Sequence, residues 1–256
     1  MNRISIELVP HAPPVLAEEL EGILKRFPNV DTINIPDLVR LPTRSWDACL
    51  TCFEQVDRAI PHLRSCDFDL QNPAKLHEIV KDQRFSEILV VGGDFFEDRE
   101  HYETSAIDLI QFFKKEYPAI KIYAAIDPYR SSFEDELAYV HRKLEAGADG
   151  FFTQPYFDLQ LFRKWLNALE GINVYWGLSP VLSEKSQKYW ETRNLVNFPK
   201  DFVPTLEWNA QFAADLIAEI VNESTSVYFM PIRIPVIEYL DAICEKSSEF
   251  KVRLGA

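Results

Sequence analysis

The sequence predicts an α/β fold, a single-domain (β/α)8 TIM barrel spanning residues 1–256, and three observations carry that expectation. The chain has 256 residues, 47% hydrophobic and 13% aromatic, enough for one large core and the usual length of one such barrel. Apolar, β-branched-rich runs alternate with amphipathic stretches from end to end. The competing doubly wound sheet would show a glycine-rich first turn. Here the first strand-like run ends in Glu-Leu-Val-Pro, and the eight glycines assemble no GxGxxG or P-loop.

The strand-like runs are Ile4–Val9, Thr32–Ile35, Ala59–Leu63, Glu87–Val91, Lys121–Ile126, Gly150–Gln154, Asn173–Leu178 and Ser226–Pro231. Helical spacing of apolar residues marks Pro14–Phe27, Pro73–Lys81, Tyr102–Tyr117, Phe133–Ala146, Asp158–Leu169, Leu206–Asn222 and Pro235–Glu245. Extra helical material around Ser183–Asn194 fills the long gap before the last strand. The sixteen prolines are scattered at strand ends and helix starts, and no repeat, linker or low-complexity tract divides the chain.

A formal net charge of -13 repels polyanions, which argues against nucleic acid and anionic membrane as partners. No apolar run reaches the roughly 20 residues of a bilayer span. The N-terminus lacks an apolar signal core, so a cytoplasmic protein is expected. A homo-oligomer is compatible with this composition, which sets no oligomeric state. Cys49 and Cys52 form a CxxC in a helix-like stretch. Cys66 and Cys244 supply no second close pair, so buried thiols are expected and no metal site.

Catalytic groups of such a barrel sit at the C-terminal strand ends. Glu7 interrupts an apolar strand there, and reads equally as a paired strand-end charge or as a general acid whose pKa desolvation has raised. Gly92-Gly93-Asp94 follows the strongest strand signal. Two glycines let backbone approach a flat ligand and set Asp94 over the mouth, where a helix cap alone would need one fewer. Gln154, among Phe151, Phe152, Tyr156 and Phe157, can donate to and accept from a heterocycle edge. More often such a residue bonds loop backbone, and its aromatics fit a core as well as a stacking wall. His62 has no nucleophile or metal-ligand spacing and reads as structural. Arg142-Lys143 reads by itself as a basic helix face with partners such as Glu136 or Tyr139.

Two segments resemble a known family. His141–Asp158, with Arg-Lys before Ala-Gly-Ala and a Thr-Gln-Pro-Tyr-Phe-Asp strand end, is similar to the R-K-x-x-A-G-A and T-Q-x-x-F-D signature of methylenetetrahydrofolate reductases. Ile4–Pro10 resembles their opening strand, S-F-E-F-F-P. The resemblance implies reduction of 5,10-methylenetetrahydrofolate to 5-methyltetrahydrofolate, with FAD as cofactor and NADH or NADPH as co-substrate, in one-carbon metabolism and methionine biosynthesis. It places Glu7 as general acid and Asp94 between flavin and pterin. Gln154 becomes a contact of both pterin and nicotinamide, and Arg233 a folate-binding residue. His62, Gly93, Asp94, Glu136, Arg142 and Lys143 become flavin contacts, the basic pair lying near the ribityl and phosphate groups.

The departures fall on the flavin side. Asn34–Leu38 replaces the family's T-Y-G-A-G-G loop, Ile126 stands at its tyrosine, and Glu136 and Tyr139 stand where it shows Asp and Asn. Two alternatives follow: a flavin-free enzyme passing hydride directly from nicotinamide, and a non-catalytic folate-binding accessory subunit.

Overall fold

The computed structural model describes residues 3–94, 100–220 and 225–256. Eight parallel strands, β1 (Ile4–Glu7), β2 (Thr32–Ile35), β3 (Arg58–Arg64), β4 (Glu87–Val91), β5 (Lys121–Ile126), β6 (Gly150–Thr153), β7 (Val174–Leu178) and β8 (Ser226–Phe229), close into a barrel in chain order. Helices α1 (Pro13–Arg26), α2 (Ser45–Cys52), α3 (Ala74–Ile79), α4 (Ala106–Glu116), α5 (Phe133–Glu145) and α6 (Leu159–Ala168) follow β1 to β6. Two helices, α7 (Glu184–Arg193) and α8 (Leu206–Ile220), lie between β7 and β8, and α9 (Val236–Lys246) and α10 (Ser248–Leu254) end the chain.

Strand side chains alternate across the sheet, and that alternation builds two cores. Outward residues such as Ile6, Ile33, Val90, Ile126, Phe151, Trp176 and Phe229 join the helices in the main cluster. Inward residues Ile60, Leu89, Tyr123, Phe152, Tyr175, Tyr228 and Met230 fill the bore. Phe152 and Tyr175 stack there with centroids 4.1 Å apart, and Tyr123 and Tyr228 meet Phe152 edge-on. Below them Arg3 Nη1 donates to both oxygens of Glu87 at 2.8 Å and to the Tyr175 hydroxyl at 3.0 Å. A cavity of about 570 Å³, lined in part by Arg3, Lys121 and Asn173, opens on that N-terminal face, opposite the chemistry-bearing strand ends.

All eight expected strands form, each end within two residues of its sequence estimate. The helix expected from Tyr102 begins instead at Ala106. Ser105 and Asp108 cap it reciprocally, which fixes the start four residues later. Asn222, the expected end of α8, lies outside the described residues. The short α10 was not expected; its end turns on Gly255 at φ 73°. No described helix is long and apolar enough to cross a membrane.

Candidate active site at the barrel mouth

The inward alternation that sends Tyr228 and Tyr175 into the bore sends Glu7, Asn34, His62 and Gln154 to the top layer. Glu7 is two residues beyond inward Ser5 and pairs in register with Asn34. Its carboxyl makes no hydrogen bond among the described residues, and desolvation pushes its pKa up to about 8. Nearby Tyr228 cannot relieve it, because that hydroxyl donates to the Thr153 carbonyl at 2.5 Å. Glu7 therefore carries a proton at neutral pH. Gln154 is half-buried; its backbone N–H donates to Ile126 O at 2.8 Å, and its amide makes no hydrogen bond among the described residues.

Gly177 brings these strands together. A Cβ there would stand 2.6 Å from Thr153 O, 3.0 Å from the Tyr228 ring and 3.2 Å from the Gln154 carbonyl carbon. The aromatics around Gln154 form no stacking wall. Phe151 is in the main core, Phe152 in the bore, Tyr156 against Phe162 and Trp176, and Phe157 against Trp190 and Phe198. After β8, exposed Arg233 holds a left-handed backbone, φ 64°, beside exposed Ile232. A non-glycine residue in that region costs on the order of 1 kcal/mol and is held by its surroundings.

The opposite side of the mouth is bonded to itself. His62 Nε2 lies 3.0 Å from Asn34 Oδ1, and Asn34 Nδ2 donates to Ser5 Oγ at 2.9 Å. Burial pushes His62 down to about 3, so the ring is neutral, and the Asn34 acceptor assigns its proton to Nε2. Beyond it an ion ladder runs across three strand ends. Arg44 pairs with Asp37 and, at 3.2 Å, with Asp67; Arg64 lies 3.8 Å from Asp67 and donates to the Asp94 carbonyl. Gly93, at φ 88°, sits directly on this ladder, where a Cβ would stand 2.7 Å from Cys66 Sγ and 2.8 Å from Arg64 Nε. Asp94 is exposed, and its carboxylate makes no hydrogen bond among the described residues. It does not cap α4, a role taken by Ser105.

The basic pair on α5 separates. Lys143 is 4% exposed; its amine donates to Ala125 O at 2.6 Å, lies 3.6 Å from Glu136, and is roofed by the Tyr139 ring at 3.8 Å. Burial pushes it down to about 8 against the pull of Glu136. Glu136 also accepts from the Asp127 amide at 3.2 Å. Arg142 is exposed and lies over Tyr139. The pair does not converge on one anion position, as the resemblance had implied.

These residues do not fit the FAD expected from the resemblance. A pyrophosphate wants convergent cations or backbone amides. Of the cations in the expected set, His62 is neutral and bonded to Asn34, Lys143 is consumed internally, and Arg142 alone faces solvent. The void at Gly93 is filled from below by Arg64 and Cys66. The described residues hold one further candidate, Cys66, Asp67 and His101, whose ligand atoms lie within 4.8 Å of one another. Arg64 lies 3.6 Å from the Cys66 sulfur, and both arginines pair with Asp67, so the place is already neutralised against a cation. Cys49 and Cys52 are buried thiols, as expected.

Arg64, Gly177 and Tyr228 lie in no motif of the sequence. Alternation was the available signal, since Arg64 and Tyr228 fall two residues along the inward face from His62 and Ser226.

Comparison with known proteins gives the family and the fold. The sequence profile of the family described as methylenetetrahydrofolate reductase matches residues 48–225, a span that leaves out Glu7 and Arg233. A probable methylenetetrahydrofolate reductase (NADPH) from Caenorhabditis elegans is 23% identical over 158 residues, 57% of this chain. The chain spans 24% of that relative's length. An uncharacterized protein from Clostridium thermocellum that binds two copies of 5-methyl-5,6,7,8-tetrahydrofolic acid superposes with a TM-score of 0.71 at 14% identity, covering 98% of this chain and 96% of its own. A 2,3-dimethylmalate lyase shares the fold at a TM-score of 0.57 and 11% identity, covering 100% and 82%. With the profile spanning more than half its length, this chain belongs to the methylenetetrahydrofolate reductase family.

Proposed function

We propose that this chain reduces a folate-bound one-carbon unit, 5,10-methylenetetrahydrofolate to 5-methyltetrahydrofolate, with NAD(P)H as the electron donor. The observation that carries the reading is Glu7, a carboxyl that keeps its proton to about pH 8 and has no hydrogen-bond partner among the described residues. The methylene carbon bridges two ring nitrogens. Protonation of one by Glu7 breaks its bond to carbon and leaves an iminium cation on the other. Hydride then adds to that carbon to give the methyl group. Gln154 is free to read the pterin edge, Asp94 offers a carboxylate to the cation, and Arg233 stands on the rim for the substrate's carboxylates. Family membership and the folate bound by the Clostridium thermocellum neighbour support this substrate class.

For the hydride source, direct transfer from the nicotinamide is favoured over a flavin relay. The specific observation is Lys143, buried beneath Tyr139 and satisfied by Ala125 and Glu136. The deciding experiment is methylenetetrahydrofolate-dependent NAD(P)H oxidation by the purified protein with and without added FAD, alongside its visible spectrum. A colourless protein active without FAD is expected. Turnover only after saturable FAD loading would restore the flavin route. Folate binding without turnover in either case would make the chain an accessory subunit.

A further inference from the structure

We propose that Arg64 is a positioning residue, the anchor that holds Asp94 in place at the barrel mouth. The proposal deepens the reading of Asp94 above. Arg64 is 5% exposed at the end of β3, two residues beyond His62 on the inward face. Its guanidinium donates to the backbone carbonyl of Asp94 and faces the carboxylate of Asp67 at 3.8 Å. The same turn is held from the other side, since Gly92 O accepts from the Cys66 N–H at 3.3 Å and from Ser65 Oγ at 3.3 Å. Gly93 adopts φ 88°, and only the absence of its Cβ lets the turn rest on Arg64 and Cys66. The backbone of Asp94 is thus clamped from below, while its exposed carboxylate makes no hydrogen bond among the described residues. Asp67, shared with Arg44, ties the clamp to Asp37 after β2. A carboxylate meant to meet a transient cation gains from such preorganisation, because its position is set before the charge develops.

The test compares Arg64→Gln, Arg64→Lys, Gly93→Ala, Asp94→Asn and the Arg64→Gln/Asp94→Asn double variant in the full chain. Each is read by steady-state kinetics and by NMR amide relaxation at residues 92–94. Arg64→Gln and Gly93→Ala should both mobilise the turn and lower kcat by about 10- to 100-fold, with folate KM little changed. Arg64→Lys should recover only part of the loss, since one ammonium lacks the fork that reaches Asp67 and the Asp94 carbonyl together. The double variant should be no slower than Asp94→Asn. Equal losses from Arg64→Gln in the native and Asp94→Asn backgrounds would overturn the proposal, as would an Asp94 amide that stays rigid in Arg64→Gln. Asp94→Asn at full rate would remove the catalytic reading of Asp94, while the relaxation data still decide the anchor. Should Arg64→Gln fail to fold, Gly93→Ala presses a methyl between the turn and Arg64 without removing the guanidinium, and a native turn and rate there would overturn the proposal.

Discussion

The two sides of the barrel mouth are built from the same kinds of residue and differ in what they leave undone. Around β1, β6, β7 and β8, Glu7 and Gln154 carry polar atoms without partners among the described residues. Around β2 to β5, His62, Asp37, Arg44, Asp67, Arg64, Glu136 and Lys143 have found partners within the chain. Folded proteins rarely leave a desolvated polar group unmatched, and where they do the partner commonly comes from outside. On the proposed reading the first side is the place for substrate and the second is scaffold. Asp94 is held on the scaffold side through its backbone carbonyl and is itself exposed.

The comparison can be broken most decisively at Glu7. Glu7→Gln should lower folate reduction by about 10²–10⁴ while leaving folate binding intact; near-normal turnover would end its role as the acid. The wild-type rate should fall as pH rises through about 8, where the native carboxyl loses its proton. Stability should show opposite slopes for the two sides. Between pH 4.5 and about 8 the folded chain holds a proton on Glu7 that the unfolded chain releases, so Glu7 lowers stability as pH rises. Between about 3 and 6.5 the unfolded chain protonates His62 and the folded chain does not, so stability is lost as pH falls. Urea midpoints against pH should flatten between pH 4.5 and about 8 in Glu7→Gln and between about 3 and 6.5 in His62→Gln.

The closed side should respond in stability and not in chemistry. Lys143→Met strands Glu136 in a buried place and should cost about 3–5 kcal/mol of unfolding free energy, with turnover per folded molecule unchanged. Turnover lost without a loss of stability would return Lys143 to a cofactor site. Gly177→Ala presses a methyl against the Thr153 carbonyl and should cost about 1–3 kcal/mol, and it should also slow folate reduction by displacing Gln154. Denaturation and kinetics on the same preparation separate those effects. Arg142→Ala, exposed and lying over the Tyr139 ring, should stay within about 0.5 kcal/mol of wild type and keep full activity.

The barrel was legible because parallel strands buried on both faces read as β-branched runs at regular intervals. Glu7, Asp94, Gln154 and Arg233 could be placed at strand ends for the same reason. The state of each side chain was harder to read. Arg142 and Lys143 are neighbours in sequence, yet consecutive helical residues point about 100° apart, and one turned inward. The pairing of Lys143 with Glu136 seven residues earlier is a two-turn spacing that the sequence displays. Arg64 lay one residue past the expected end of β3, so its inward position went unseen. Gly177 gave no sign, because what it must avoid comes from β6 and β8, far away in the chain.

The stacked rings of Phe152 and Tyr175, with Tyr123 and Tyr228 against them, stopper the barrel like a cork. A stoppered vessel has one door. The cavity on the far face cannot serve as a rear exit, so on the proposed reading whatever reacts at Glu7 enters and leaves by the C-terminal mouth of the barrel. Two reactants exchanging a hydride must then queue through the same opening or stand in it together. On the proposed direct transfer the second arrangement holds: donor and acceptor stand face to face, each blocking the other's departure until the transfer is done.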